Sequence, residues 1–118
     1  MPKEPLTQGL FRRGAATLCV LALLNQKEWY GYDLTQNVER ISEGRFAMAE
    51  GTLYPILYRL ESQGYVTSRY EFVGKRMRRA YYTITEEGQR YYQALLDEYA
   101  SVQEGIRLIV SYKGDSKE

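Results

Sequence analysis

The sequence predicts a mostly helical α+β fold, and three features lead to that expectation. Between Ala49 and Tyr65 the apolar residues Leu53, Ile56, Leu57 and Leu60 recur at i, i+3, i+4 and i+7, one face of a helix. After Gly64 the chain becomes aromatic and β-branched in two short runs joined by the basic segment Gly74-Lys75-Arg76-Met77-Arg78-Arg79. Beyond Thr85 the residues Tyr92, Leu95, Tyr99, Val102, Ile106 and Ile109 alternate spacings of three and four, the seam of a coiled-coil helix. A short helix leading into a cationic hairpin, then a helix whose seam has no partner in a small domain, predicts a winged helix-turn-helix with a C-terminal dimerisation helix.

Taken in order, Met1 to Thr7 contains Pro2 and Pro5 and reads as a mobile arm. Gln8 to Asn25 reads as a first helix, apolar on more than one side after Ala15. Leu34, Val38 and Ile41 share a face, so Asp33 to Ile41 is a second short helix, ending near Gly44. Arg45 to Met48 is a turn, and the third helix completes a helix-turn-helix. Ala49 is its expected N-cap, a residue that cannot accept a hydrogen bond from the open amides, and Gly64 its left-handed C-terminal cap. Tyr65 to Val73 and Ala80 to Thr85 are the strands of the wing, with the four cations of Gly74–Arg79 at its tip. Thr85 caps the last helix, and Glu86 and Glu87 complement its positive end. The expected organisation is a winged domain over 1–85, a dimerisation helix over 86–112 and a disordered tail over 113–118.

The 118 residues suffice for one modest core, and 16 Lys plus Arg against 15 Asp plus Glu leave no global argument for a polyanionic partner. The distribution is more telling. From Arg45 to Arg79 seven basic residues face three acidic ones, whereas Glu86, Glu87, Asp97, Glu98 and Glu104 lie on the last segment. With no histidine and a single cysteine, Cys19, the chain lacks the commonest general base and the makings of a disulfide or a cysteine metal cluster. Cys19 itself reads as a small buried hydrophobe. No metal, cofactor or catalytic residue is expected. The apolar run Ala15 to Leu24 is too short to span a bilayer, so the expected location is the cytoplasm, with no membrane partner.

Five segments together carry a family likeness. Tyr30-Gly31-Tyr32-Asp33-Leu34, Glu50 to Glu61 (EGTLYPILYRLE), Gly64-Tyr65-Val66, Gly74-Lys75-Arg76 and Tyr81 to Gly88 (YYTITEEG) resemble the PadR family of bacterial transcriptional regulators, over about residues 10 to 110. The length is similar to that of the smaller subfamily with one C-terminal dimerisation helix. The resemblance implies a homodimeric winged-helix repressor of transcription, often relieved by a small molecule. Ala49 departs from the pattern, standing where relatives often place Ser or Asn.

In such a fold the start of the third helix enters the major groove, which places Glu50, Gly51, Thr52, Tyr54 and Pro55 near base edges and backbone. Tyr54 and Tyr58 have two readings, a phosphate contact or the edge of the core. Arg59 is a phosphate contact or a solvated residue rather than a base reader. Lys75, Arg76 and Arg78, with Arg79, are either a solvated turn or a contact to DNA phosphate or the minor groove, and mutual repulsion favours the second. The resemblance sets Tyr32 against the DNA backbone or the core. For an effector, pairing of the last helices brings Tyr99 to its symmetry mate, with Tyr92, Leu95 and Val102 along the seam and Leu10, Phe11 and Ala15 closing it. Some relatives stack flat aromatic ligands there; the competing reading is a packed dimer core. Trp29 reads as a packing anchor. The expected partners are a pseudo-palindromic operator in double-stranded DNA, a second copy of the chain and a small aromatic or drug-like effector. The alternative is a winged-helix interaction module without DNA binding.

Overall fold

In the computed structural model, which describes residues 13–114, the apolar stripe of the third helix is the hub of the core. A 3-10 turn at Arg13–Ala15 leads into α1 (Ala16–Leu24), followed by β1 (Trp29–Tyr30), α2 (Gly31–Ile41), α3 (Glu50–Ser62), β2 (Val66–Val73), β3 (Met77–Ile84) and α4 (Glu86–Val110). Leu53, Ile56, Leu57 and Leu60 of α3 are buried against Val20, Leu21 and Leu24 of α1 and Leu34 of α2. The i, i+3, i+4, i+7 spacing thus marks the buried face. The first helix is described only from Ala16; the part expected over residues 8–12, with Leu10 and Phe11, lies outside the described residues.

The sheet has three antiparallel strands in the order β1-β3-β2. Trp29 and Tyr30 pair with Tyr82 and Tyr81 as a short strand that the sequence does not announce. A two-residue strand carries no period, and its partner is some fifty residues away in sequence, so only tertiary contact reveals it. The Trp29 indole N–H donates to the Leu23 carbonyl at 2.8 Å and Lys27 Nζ lies 4.1 Å from the ring, so Trp29 is the packing anchor expected.

The wing differs from expectation in its turn. Val73 pairs with Met77, so the turn is only Gly74-Lys75-Arg76, with Gly74 at φ +71°, a conformation suited to glycine. Arg78 and Arg79 are therefore not at the tip but within β3, opposite Phe72 and Glu71, on opposite faces of the hairpin. Alternation of a strand continues as far as its register allows, and turn composition alone does not fix that register.

Two caps meet where α3 ends and α4 begins. Gly64, at φ +82°, and Tyr65 send their amides to the Glu61 and Leu60 carbonyls at 3.0 and 2.9 Å, the paired bonds of a Schellman cap. The Thr85 amide donates to the Tyr65 carbonyl at 3.0 Å, its hydroxyl donates to the Gly64 carbonyl at 2.7 Å, and the same hydroxyl oxygen accepts from the Gly88 amide at 3.0 Å. Gly88 allows this closeness: a Cβ there would lie 2.0 Å from the Tyr65 carbonyl oxygen. Tyr65 and Tyr91 stack across the junction, ring centroids 4.3 Å apart and planes 7° from parallel.

Candidate nucleic-acid interface

Because one face of α3 is buried, the residues between its apolar positions are presented outward. Glu50, Gly51, Thr52, Pro55 and Arg59 are all exposed. Ala49 is extended, at φ −80° and ψ 160°, and provides no side-chain cap, so the first amides of the helix remain open toward this face. Pro55 has no amide to give to the Gly51 carbonyl one turn earlier, which leaves that acceptor on the same exposed surface. Gly51 has open space around the position of a Cβ. A notch of about 430 Å³ runs beside these residues, bounded by Thr17, Met48, Thr52, Pro55 and Arg59.

The two tyrosines of α3 separate. Tyr54 is half-buried, its ring within 3.4 Å of where a Gly31 Cβ would stand, and burial with the nearby Glu50 carboxylate pushes its hydroxyl pKa up. Tyr58 is 59% exposed, its ring 6.0 Å from that of Tyr54. Tyr54 is thus a core edge by position, while Tyr58 has a free outer side. Tyr32, the second residue of α2, is exposed and stacks on Tyr30 with centroids 5.9 Å apart.

On the wing, the cations are engaged unequally. Arg79 Cζ stands 5.1 Å from the Tyr30 ring centroid, and its Nε is buried without a hydrogen-bond partner. Arg78 Cζ lies 4.3 Å over Tyr70. Among the described residues, Lys75, Arg76 and Arg78 make no ion pair, whereas Arg69 is held by Glu28 at 2.6 Å and Glu71 at 2.7 Å. Those bonds hold the Glu28 carboxyl below its usual range and raise the Arg69 guanidinium further. Lys75, Arg76 and Arg78 thus stand at the turn and the α3-facing side, while on the outer side Arg69 is neutralised by carboxylates and Arg79 rests on the Tyr30 ring without an ion pair among the described residues. In the sequence Arg79 is indistinguishable from its neighbours, and Tyr70 and Phe72 are signalled only by strand alternation from Val66, which places those two beside Arg78.

The last helix is bimodal. Tyr91, Tyr92 and Leu95 are half-buried against the domain core, so part of the seam does find a partner within the chain. Farther along, Tyr99, Val102, Ile106 and Ile109 are exposed, Ile109 to 76%. An open groove of about 690 Å³ lies between this helix and α1, with Ala15, Leu95, Tyr99 and Val102 in its wall. Tyr92 is not in that wall; Leu18, Phe46 and Tyr91 are, each brought there by tertiary packing. Cys19 is half-buried rather than fully buried, and lines a small apolar crevice of about 170 Å³ with Val38, Ile41 and Phe46. Burial pushes its thiol pKa up. Among the described residues no helix is long and apolar enough to cross a membrane.

Comparison with known proteins agrees with this geometry. Residues 20–94 match the model of the transcriptional regulator PadR-like family. An uncharacterized protein of Lysinibacillus sphaericus is 34% identical over 98 residues, covering 83% of this chain and 90% of that protein. The structure of a transcriptional regulator from Clostridium thermocellum superposes with a TM-score of 0.78 at 33% identity, over 88% of this chain and 98% of the other. Bacillus subtilis PadR, solved in complex with operator DNA, has a TM-score of 0.65 at 26% identity, over 70% of this chain and 46% of that one. The chain spans about half the length of the curated regulators from Escherichia coli and B. subtilis that it matches. The winged-helix fold and the family match agree, and the chain belongs to the PadR-like family of transcriptional regulators.

Proposed function

We infer that the chain is a homodimeric, operator-binding repressor relieved by a small aromatic or drug-like effector. The observation that carries DNA binding is the outward face of α3, with open amides behind Thr52, standing beside a wing whose turn cations have no ion-pair partner among the described residues. The B. subtilis relative solved with operator DNA supports a DNA-binding role for the shared fold. In this reading Thr52 and the Gly51 backbone approach bases, Arg59 and Tyr58 approach phosphates, and Lys75, Arg76 and Arg78 flank the neighbouring groove.

The exposed seam of α4 supports a second copy as its cover. Two copies set their recognition helices about 34 Å apart, one turn of DNA, which requires a pseudo-palindromic operator. The effector would enter the groove between α1 and α4, where Tyr91 and Tyr99 offer flat apolar surfaces. In this reading the described residues up to 85 bind DNA and 86–112 pair; the arm expected over 1–7 and residues 115–118 of the expected tail lie outside the described residues. The test is titration of the purified protein against DNA upstream of its own gene and an unrelated duplex, at two salt concentrations. Selective, steeply salt-dependent binding is expected; equal, feeble binding to both would turn attention to an interaction module.

A further inference from the structure

The end of the wing is more apolar than its charge suggests. Phe72 is 75% exposed and Tyr70, two residues earlier on the same face, is 54% exposed, while Val73 and Met77 are exposed on the reverse face. Single exposed hydrophobes need no explanation, but two neighbouring aromatic rings on one face of a free hairpin, beside an arginine with no ion pair among the described residues, mark a contact surface. Phe72 faces Arg78 across the hairpin, and Tyr70 beneath holds the Arg78 guanidinium by a cation–π contact. All three lie on the side of the sheet that buries Val66 and Tyr82, the side joined to α3 by the Ser68 hydroxyl donating to Glu61 at 2.6 Å.

Phe72 lies four residues past Ser68, so it stands about 13 Å beyond the last buried pair of the sheet. From Phe72 to Arg79 the chain carries Lys75, Arg76, Arg78 and Arg79 and no carboxylate. Whatever covers the apolar residues must therefore be a polyanion with an apolar recess. The minor groove of duplex DNA has both properties: phosphates on its rims, and sugar walls and base-step edges within. At about 6 Å wide it excludes a two-stranded hairpin but admits one side chain projecting from the hairpin's face near the turn.

We propose that Phe72 is a minor-groove wedge, guided by Arg78 on its Tyr70 platform, which pries open a flexible base step and bends the operator. The inference rests on the DNA-binding reading and adds to it an element that senses deformability rather than base identity. Pyrimidine–purine steps yield most easily, so the wing would favour them at a fixed distance from the major-groove contacts.

The test uses the full chain and a duplex of about thirty base pairs, selected by the wild-type protein from a random library and end-labelled for energy transfer. Phe72→Ala should lower affinity about tenfold and relax the bend, leaving the salt dependence unchanged, since no charge is removed. Phe72→Leu should keep most of both, because leucine also serves as a wedge. The exposure of Phe72 predicts native circular dichroism for each variant. If Phe72→Ala binds and bends like wild type, the wedge is refuted while the DNA-binding reading stands. If the wild type selects no sequence, that reading fails and the wedge with it. If Phe72→Ala keeps its DNA affinity but loses binding to phosphatidylserine vesicles shown by wild type, the patch serves an anionic membrane surface and the proposal is overturned.

Discussion

Replacing Gly88 by alanine would destabilise this protein, against the direction that helix propensity gives. In the first turn of an exposed helix, Gly→Ala ordinarily gains up to about 1 kcal/mol. Here the added methyl would stand 2.0 Å from the Tyr65 carbonyl oxygen, 2.7 Å from Ile84 Cγ1 and 2.9 Å from the Tyr65 carbonyl carbon. Two of the three are backbone atoms, which no rotamer change can move. Relief requires α4 to withdraw from the start of β2, which strains the bonds from Thr85 to Gly64 and Tyr65 and the Tyr65–Tyr91 stack. Overpacking of about 1–3 kcal/mol, plus about 1 kcal/mol for each of the two weakened hydrogen bonds, outweighs the propensity gain and leaves a net loss of about 2–4 kcal/mol. For a domain of this size that lowers Tm by about 10 °C. The assay is urea and thermal denaturation at fixed protein concentration, because dimerisation would couple stability to concentration. Gly51→Ala is the matched control: it also lies in a first turn, nothing stands within 4 Å of its Cβ position, and it should stabilise by about 0.5–1 kcal/mol. Equal or greater stability of Gly88→Ala would refute the close approach of α4 to Tyr65.

Thr85→Ala removes both roles of the hydroxyl and should cost about 1–2 kcal/mol by the same denaturation assay, with Thr85→Ser recovering most of it. The Glu28 carboxyl is held below its ordinary value of 4.5 by Arg69, so its contribution is present above that pH and is lost as pH falls through the lower folded value. Thermal melts of wild type and Glu28→Gln should therefore differ most at neutral pH and converge as pH drops well below 4.5; a constant gap would mean the ion pair does not form. In the proposed dimer, Lys75→Ala with Arg76→Ala would remove four phosphate contacts and should flatten the slope of log K against log salt by about 3.6, measured by fluorescence anisotropy. Thr52→Ala should shift the bases preferred at its position in a selection experiment, leaving the salt slope unchanged; unaltered preference and affinity would displace α3 from the groove.

The sequence revealed most where a local rule and the tertiary structure demand the same thing. The α3 stripe, the left-handed Gly64 and the Thr85 cap are each set by neighbours within a few residues, so spacing and residue type suffice. Long-range pairing is hidden by contrast. The strand at Trp29–Tyr30 exists because Tyr81 and Tyr82 lie beside it, and the shift of Arg78 and Arg79 out of the turn depends on a register that composition does not encode. Gly88 shows the same division: locally it is a poor helix residue, and only the Tyr65 carbonyl explains it. The division of labour between Tyr54 and Tyr58 became visible only with Gly31 in place beneath the first of them.

The joint between α3 and α4 has a mechanical consequence. The hydrogen bonds from Thr85 to Gly64 and Tyr65 join the end of α3 to the start of α4, so a tilt of one helix is passed to the other through that joint. The 25 residues of α4 make an arm about 37 Å long, so a tilt of about 5° at one end sweeps the other through about 3 Å. That is close to the rise of one base pair, about 3.4 Å. In the proposed dimer, a ligand that wedges the two arms apart by a few degrees would carry both reading heads off their half-sites without unfolding a single turn.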